Sequence, residues 1–130
     1  MATILIVDDD PNVRELLAEF VRTLGHKPVN ASTGYEGIEL FRANHPDLLI
    51  LDYQMPVGTG ADTLSAVRGF VGGEALPVIF VTGSPLAAVK AHVADPRVRF
   101  LSKPVELNSL KAAIDTLLKP GQTPPGPGRP

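Results

Sequence analysis

The sequence predicts a doubly wound α/β domain, in which a five-stranded parallel sheet carries helices on both faces. Three observations predict it. Short runs, apolar throughout and rich in β-branched residues, recur along the chain. Helical periodicities separate them. The alternation of the two repeats five times, which is the signature of βα units feeding one parallel sheet.

The first run is Ile4-Leu5-Ile6-Val7. A strand that is apolar at every position is buried on both faces. After it, Val13, Leu16, Leu17, Phe20, Val21 and Leu24 recur at helical spacing and define one apolar face. Asp10 fits the N-cap of this helix, Pro11 its first position and Gly25 its C-terminal stop. Lys27-Pro28-Val29-Asn30-Ala31 is a weaker second strand, placed at an edge, where proline is tolerated. Ile38 and Phe41, with Tyr35 one turn earlier, mark the second helix. Leu48-Leu49-Ile50-Leu51 is the third strand, and Leu64, Val67 and Phe70 mark the third helix. Val78-Ile79-Phe80-Val81 is the fourth strand, followed by a short fourth helix over residues 86–93. Val98-Arg99-Phe100-Leu101 is the fifth strand. Leu107, Leu110, Ile114, Leu117 and Leu118 mark a fifth helix that ends near Pro120. Right-handed crossovers favour double winding, and the strand order 2-1-3-4-5 is one of its two common solutions.

The folded unit is expected over residues 1–119. Residues 120–130 hold five prolines and three glycines, bury nothing, and read as a disordered tail or linker.

Composition narrows the function. At 130 residues the chain fits one domain, and 44% hydrophobic residues suffice for a core. A net charge of −2 leaves no electrostatic footprint for nucleic acid or an anionic membrane. The absence of cysteine excludes disulfides, thiol catalysis and thiolate metal sites. No signal peptide opens the chain and no apolar run spans a bilayer, so a cytoplasmic location is expected. His26, His45 and His92 have no metal-ligand spacing, and no nucleophile elbow or P-loop occurs.

Ligands of open α/β sheets bind beyond the carboxyl ends of the strands, at the switch point of the winding. The residues just past each apolar run are therefore informative. The first strand leads into Asp8, Asp9 and Asp10, and the third into Asp52. The fourth ends in Thr82 and Gly83, and the fifth in Ser102 and Lys103. Clustered carboxylates repel one another, and a bound proton or a cation relieves that repulsion. Oxygen ligands of this kind select Mg²⁺. Carboxylates, a hydroxyl and an ammonium are the parts that phosphoryl transfer requires, with Asp52 as the nucleophile that becomes an aspartyl phosphate. Each residue alone has an ordinary reading: a helix-start acid, a turn former, a surface lysine. The signal is that four separate strand ends each carry a group the one reaction needs.

Over residues 3–119 the chain resembles the receiver domains of two-component signalling, of the chemotaxis-regulator type. The resemblance rests on Ile6-Val7-Asp8-Asp9-Asp10, on Asp52-Tyr53-Gln54-Met55-Pro56 with Gly60 eight positions after Asp52, on Val81-Thr82-Gly83 and on Lys103-Pro104. It implies a flavodoxin-like three-layer sandwich of order 2-1-3-4-5 with five helices. It implies that Asp52 is the phosphoacceptor and that Asp8, Asp9, Asp52 and the Gln54 backbone carbonyl hold Mg²⁺. Thr82 matches the switch hydroxyl, Lys103 the phosphate-pairing lysine and Phe100 the switch aromatic. The Lys103-Pro104 bond is often cis in this family. The implied partners are a histidine kinase or histidine phosphotransfer protein as donor, and a downstream protein or output domain on the face built from the fourth helix, fifth strand and fifth helix. A phosphorylation-dependent dimer is also implied. Such a protein is a switch, not a turnover enzyme.

The sequence departs from the family at Gly83, where alanine is usual, at Pro85, at Gly58 and Gly60 around Thr59, and at Ala94-Asp95-Pro96-Arg97 before the fifth strand. Two rival readings use the same residues. One is a Mg²⁺-dependent phosphatase of the haloacid-dehalogenase type, which should carry a second acidic pair after the fourth strand. The other is a receiver-like adaptor that is never phosphorylated.

Overall fold

A computed structural model describes residues 2–53, 60–83 and 97–118, with the side chains of residues 60 and 61 left undescribed. Five strands form one parallel sheet: β1 (Thr3–Val7), β2 (Lys27–Ala31), β3 (Leu48–Asp52), β4 (Val78–Thr82) and β5 (Val98–Ser102). Their order is β2-β1-β3-β4-β5, so the winding reverses at β1 and β3. Four helices lie among the described residues: α1 (Pro11–Thr23), α2 (Gly34–Asn44), α3 (Gly60–Arg68) and α4 (Leu107–Leu118). The helix expected over residues 86–93, the Gln54 carbonyl and the proline-rich tail lie outside the described residues. The C-terminal helix, fifth in the sequence reading, is therefore α4 here.

Alternate residues of each central strand enter opposite cores, as the pleat requires. Ile4, Ile6, Leu48, Ile50, Ile79 and Val81 pack with α1 and α4 on one face. Leu5, Val7, Leu49, Leu51, Val78 and Phe80 pack with α2 and α3 on the other. This makes three layers. The register agrees: Ile6 pairs Ile50, Leu51 pairs Phe80, and Phe80 pairs Phe100.

Local signals set the helix starts. Asp10 is extended and accepts from the Asn12 N–H, with Pro11 at the first turn of α1. Gly25 follows α1 with φ +87°, a left-handed position suited to glycine. Thr33 caps α2 by accepting from the Glu36 N–H. Glu36 reciprocates by accepting from the Ser32 N–H and hydroxyl. Glu106 accepts from the N–H groups of Asn108 and Ser109 and from the Ser109 hydroxyl at the start of α4.

Packing revises three apolar assignments. Leu16 is 50% exposed, because α1 turns Leu17, Ala18 and Val21 onto the sheet. Successive residues lie about 100° apart around a helix, which carries Leu16 off that stripe. Tyr35 is 71% exposed, because α2 approaches the sheet through Gly34, Gly37 and Phe41. Phe70 lies beyond α3, in the turn after it. There it packs 6.3 Å from the Phe41 ring, under the Arg42 guanidinium.

At Gly37, α2 approaches the sheet too closely to leave room for a side chain. A Cβ built there would stand 2.7 Å from Val7 Cγ2, and Val7 is a stiff, β-branched, buried residue. Gly37→Ala is expected to cost about 1–3 kcal/mol of stability by overpacking. Removing the obstructing methyls with Val7→Ala should reduce that cost. A double-mutant cycle followed by urea unfolding measures the coupling, and additive effects would contradict the contact.

Candidate functional site

The carboxyl ends of β1, β3, β4 and β5 bring the expected groups together. The ladder extends one residue past β1, β3 and β5 and holds these ends in place. The Asp8 N–H donates to the Ala31 carbonyl at 3.1 Å, Tyr53 N–H to Val81 at 3.0 Å, and Lys103 N–H to Thr82 at 2.8 Å. Asp8 and Asp52 are buried, with 1% and 3% of their surface exposed, while Asp9 is open to solvent. Ligand oxygens of Asp8, Asp9 and Asp52 all lie within 4.8 Å of one another.

Lys103 compensates this cluster. Its Nζ lies 3.3 Å from Asp8 Oδ2 and 3.3 Å from Asp52 Oδ2. Burial by itself would lower the lysine pKa. The attraction of Asp52, then of Asp8, outweighs burial and holds Lys103 above the ordinary lysine range. The ammonium therefore stays charged. The Lys103-Pro104 peptide is cis.

Asp8 divides its two oxygens between roles. Oδ1 accepts from the Asp10 N–H at 2.9 Å, closing an Asx turn. Oδ2 is buried and meets the Lys103 ammonium at 3.3 Å, an ion pair whose alignment falls short of a full hydrogen bond. A buried anionic oxygen left in this way, beside two further carboxylates, fits a hard divalent cation. Asp10 belongs to the helix cap and not to the cluster. Thr82 is fully buried at the end of β4, next to β3 and β5. Phe100 on β5 stacks on Phe80 at 5.9 Å, and Phe80 meets Tyr53, the neighbour of Asp52, edge-on at 5.6 Å. A Cβ at Gly83 would meet nothing within 4 Å, so alanine would fit at this position as well.

Sequence reading missed Arg14, which donates through Nη1 to the Asp8 carbonyl at 2.7 Å. The available signal was its place four residues after the cap, one turn on from the acidic loop. Of the histidines, His26 accepts from the Ala2 N–H and His45 ends α2 in the left-handed region, so neither joins the site. His92 lies outside the described residues. A depression lined by Phe41, Arg42, His45, Phe70 and Val71 lies at the C-terminal end of α2, away from the carboxyl ends of the strands. No helix among the described residues is long and apolar enough to cross a membrane.

A family model described as the response regulator receiver domain matches residues 4–115. The chain is 32% identical to protein PilH of Pseudomonas aeruginosa, over 91% of this chain and 98% of that protein. It is 33% identical, over 87% of its length, to the probable C4-dicarboxylate response regulator DctR of Priestia megaterium, and spans half of that protein. Among solved structures, chemotaxis protein CheY4 of Vibrio cholerae superposes with a TM-score of 0.81 at 28% identity, covering 91% of this chain and 99% of that one.

Lys103 stabilises the metal-free pocket only while protonated. Its pKa is raised on folding, so the stabilisation is complete below the ordinary value of 10.5 and is lost as pH rises through the folded value. In chelator, wild type is expected to be more stable than Lys103→Met near neutrality, with the difference shrinking above pH 10.5. Urea midpoints across pH test this, and a pH-independent difference would mean that the lysine stem, not its charge, matters.

Proposed function

The chain belongs to the response regulator receiver domain family, phosphorylation-dependent signalling switches that take their phosphoryl group from histidine kinases, and we propose that this one does so on Asp52, with Mg²⁺ held by Asp8, Asp9 and Asp52. One observation carries the reading: a single ammonium, Lys103 Nζ, stands 3.3 Å from both Asp8 and Asp52, with the Asp9 carboxylate beside them. A surplus of carboxylate over ammonium at a buried strand end is what a divalent cation would relieve.

The reaction is set by these positions. Asp52 attacks the phosphorus of a phosphohistidine, forming a P–O bond as the P–N bond breaks. The electron pair returns to the leaving imidazole, which takes up a proton. Lys103 and the Thr82 hydroxyl offer donors to the phosphoryl oxygens as charge shifts. The bound Mg²⁺ would supply neutralisation of carboxylate and phosphoryl charge. Gln54 would complete the ligand set through its backbone carbonyl. Asp52 lies at the carboxyl end of a strand buried along its whole length, so the nucleophile is fixed before the donor arrives.

The switch step is the new acceptor that phosphorylation creates. Thr82 would satisfy it by moving toward Asp52, and Phe100 would turn into the space vacated. The surface formed by the fourth helix of the sequence reading, β5 and α4 would then change for a downstream protein, an output domain or a second copy. We place the protein in the cytoplasm, with residues 1–119 as the functional unit and residues 120–130 as tail or linker.

The haloacid-dehalogenase reading has no support, since β4 ends in Thr82-Gly83 where a second acidic pair should stand. The unphosphorylated adaptor has none either, with acid, hydroxyl and lysine all in place.

Acetyl phosphate with Mg²⁺ is expected to add one phosphoryl group to the wild type and none to Asp52→Asn, read by intact mass. Modification of Asp52→Asn at another residue would reassign the acceptor. Amide NMR signals of the phosphorylated protein should move both near Asp52 and across residues 97–110. Thr82→Ala should keep the near shifts and weaken the distant ones. Shifts confined to the acidic pocket would leave the phosphorylation chemistry standing and remove the Thr82–Phe100 switch.

A further inference from the structure

Asp9 is the one carboxylate of the cluster that the sheet does not hold. Asp8 is fixed at its N–H by β2, and Asp52 lies within β3. Asp9 is exposed and comes after the last ladder bond of β1. Its position is set by its neighbours. On the C-terminal side, Asp10 is pinned through its N–H to Asp8 Oδ1, through its side chain to the Asn12 N–H and through its carbonyl to the Arg14 N–H at 3.0 Å. On the N-terminal side stands the Asp8–Asp9 peptide, whose carbonyl accepts from Arg14 Nη1 at 2.7 Å. That carbonyl and the Asp9 N–H share one rigid plane, so fixing one fixes the other and the Asp9 Cα with it.

Arg14 is the fourth residue of α1. Helical side chains lean toward the N-terminus, which carries its guanidinium back over the acidic loop. The position gains nothing from the helix dipole, which favours cations at the other end. It also sets a positive charge near a site that is to receive a cation. The helix dipole opposes a cation here, and the carboxylates that attract the guanidinium in the metal-free pocket do not fix where it docks; the Asp8 carbonyl bond is the specific geometry its presence supplies.

We propose that Arg14 is a positioning residue for the divalent-cation site, orienting the Asp8–Asp9 peptide plane and thereby the Asp9 carboxylate. This rests on the reading of Asp8, Asp9 and Asp52 as metal ligands. Partners one shell out from a metal typically change affinity by about 10–100-fold when lost. A bond serving the fold alone would change stability and leave the affinity of the folded protein unaltered. A purely electrostatic role has the opposite sign, since loss of the positive charge would tighten cation binding.

The test titrates MgCl₂ alone into the full chain, reading the dissociation constant from amide NMR shifts, with the chelator-treated melting midpoint as a control for folding. Arg14→Gln is expected to weaken Mg²⁺ binding about tenfold or more, and Arg14→Lys, which keeps the charge but not the planar fork, to fall between. In an Asp9→Asn background the loss caused by Arg14→Gln should largely disappear, because the ligand it positions is gone. Unchanged or tighter binding in Arg14→Gln overturns the proposal while leaving the metal site intact, as does an undiminished loss in the Asp9→Asn background. If Arg14→Gln does not fold, Arg14→Lys decides: weaker binding than wild type supports the role and equal binding overturns it. A wild type that shows no response to Mg²⁺ overturns the metal reading itself, and Arg14's role with it.

Discussion

A parallel sheet covered by helices on both faces cannot carry ionisable side chains along its central strands. Burial without partners would cost several kcal/mol for each charge. Polar chemistry is therefore confined to the residues where strands end, and the winding decides which ends meet. In this chain β1 and β3 are adjacent although α1, β2 and α2 separate them in sequence. That crossover sets Asp8 beside Asp52. The next two strands add Thr82 and Lys103 at the same edge. The placing of Asp8, Asp52, Thr82 and Lys103 is a consequence of the layer architecture, and the turn into α1 adds Asp9.

The charge balance at that edge is uneven. Among the described residues, two buried carboxylates and one exposed carboxylate face a single ammonium. Lys103 pairs with Asp8 and Asp52 but not with Asp9, and Asp8 Oδ2 has no full hydrogen bond. Such a site is stable enough to fold and unsatisfied enough to favour a cation and a phosphoryl group. Functional sites commonly retain strain of this kind against the interest of stability. The same balance explains why Asp10, adjacent in sequence, is not part of the cluster. Its carboxylate is already committed to the Asn12 N–H of α1.

Around the pocket, rigid and adjustable parts are separated. β3 and β4 are buried throughout and fix Asp52 and Thr82. β5 is an edge strand, and its Phe100 is only partly covered where it stacks on Phe80. An aromatic at an edge can change rotamer without opening the core, whereas one between two central strands cannot. The Tyr53–Phe80–Phe100 series therefore joins the residue after Asp52 to the outer strand through a packed, central ring.

The strands, the alternation, the cap at Asp10, the stop at Gly25 and the four strand ends with their chemistry were legible in the sequence. These depend on local preference and on periods of two and 3.6 residues. Even the weak β2, with its proline, reads correctly as an edge. Tertiary structure alone decided how each helix is rotated about its axis. Leu16 and Tyr35 satisfy helical spacing yet face solvent, because α1 turns Leu17, Ala18 and Val21 to the sheet and α2 turns Gly34, Gly37 and Phe41. It alone placed Phe70 outside α3, set Lys103 between Asp8 and Asp52, and brought Arg14 to the Asp8 carbonyl. Spacing along a chain records which residues could share a face. Which of them touch is fixed only when the layers close, because contact distance depends on the volumes of side chains contributed by distant segments.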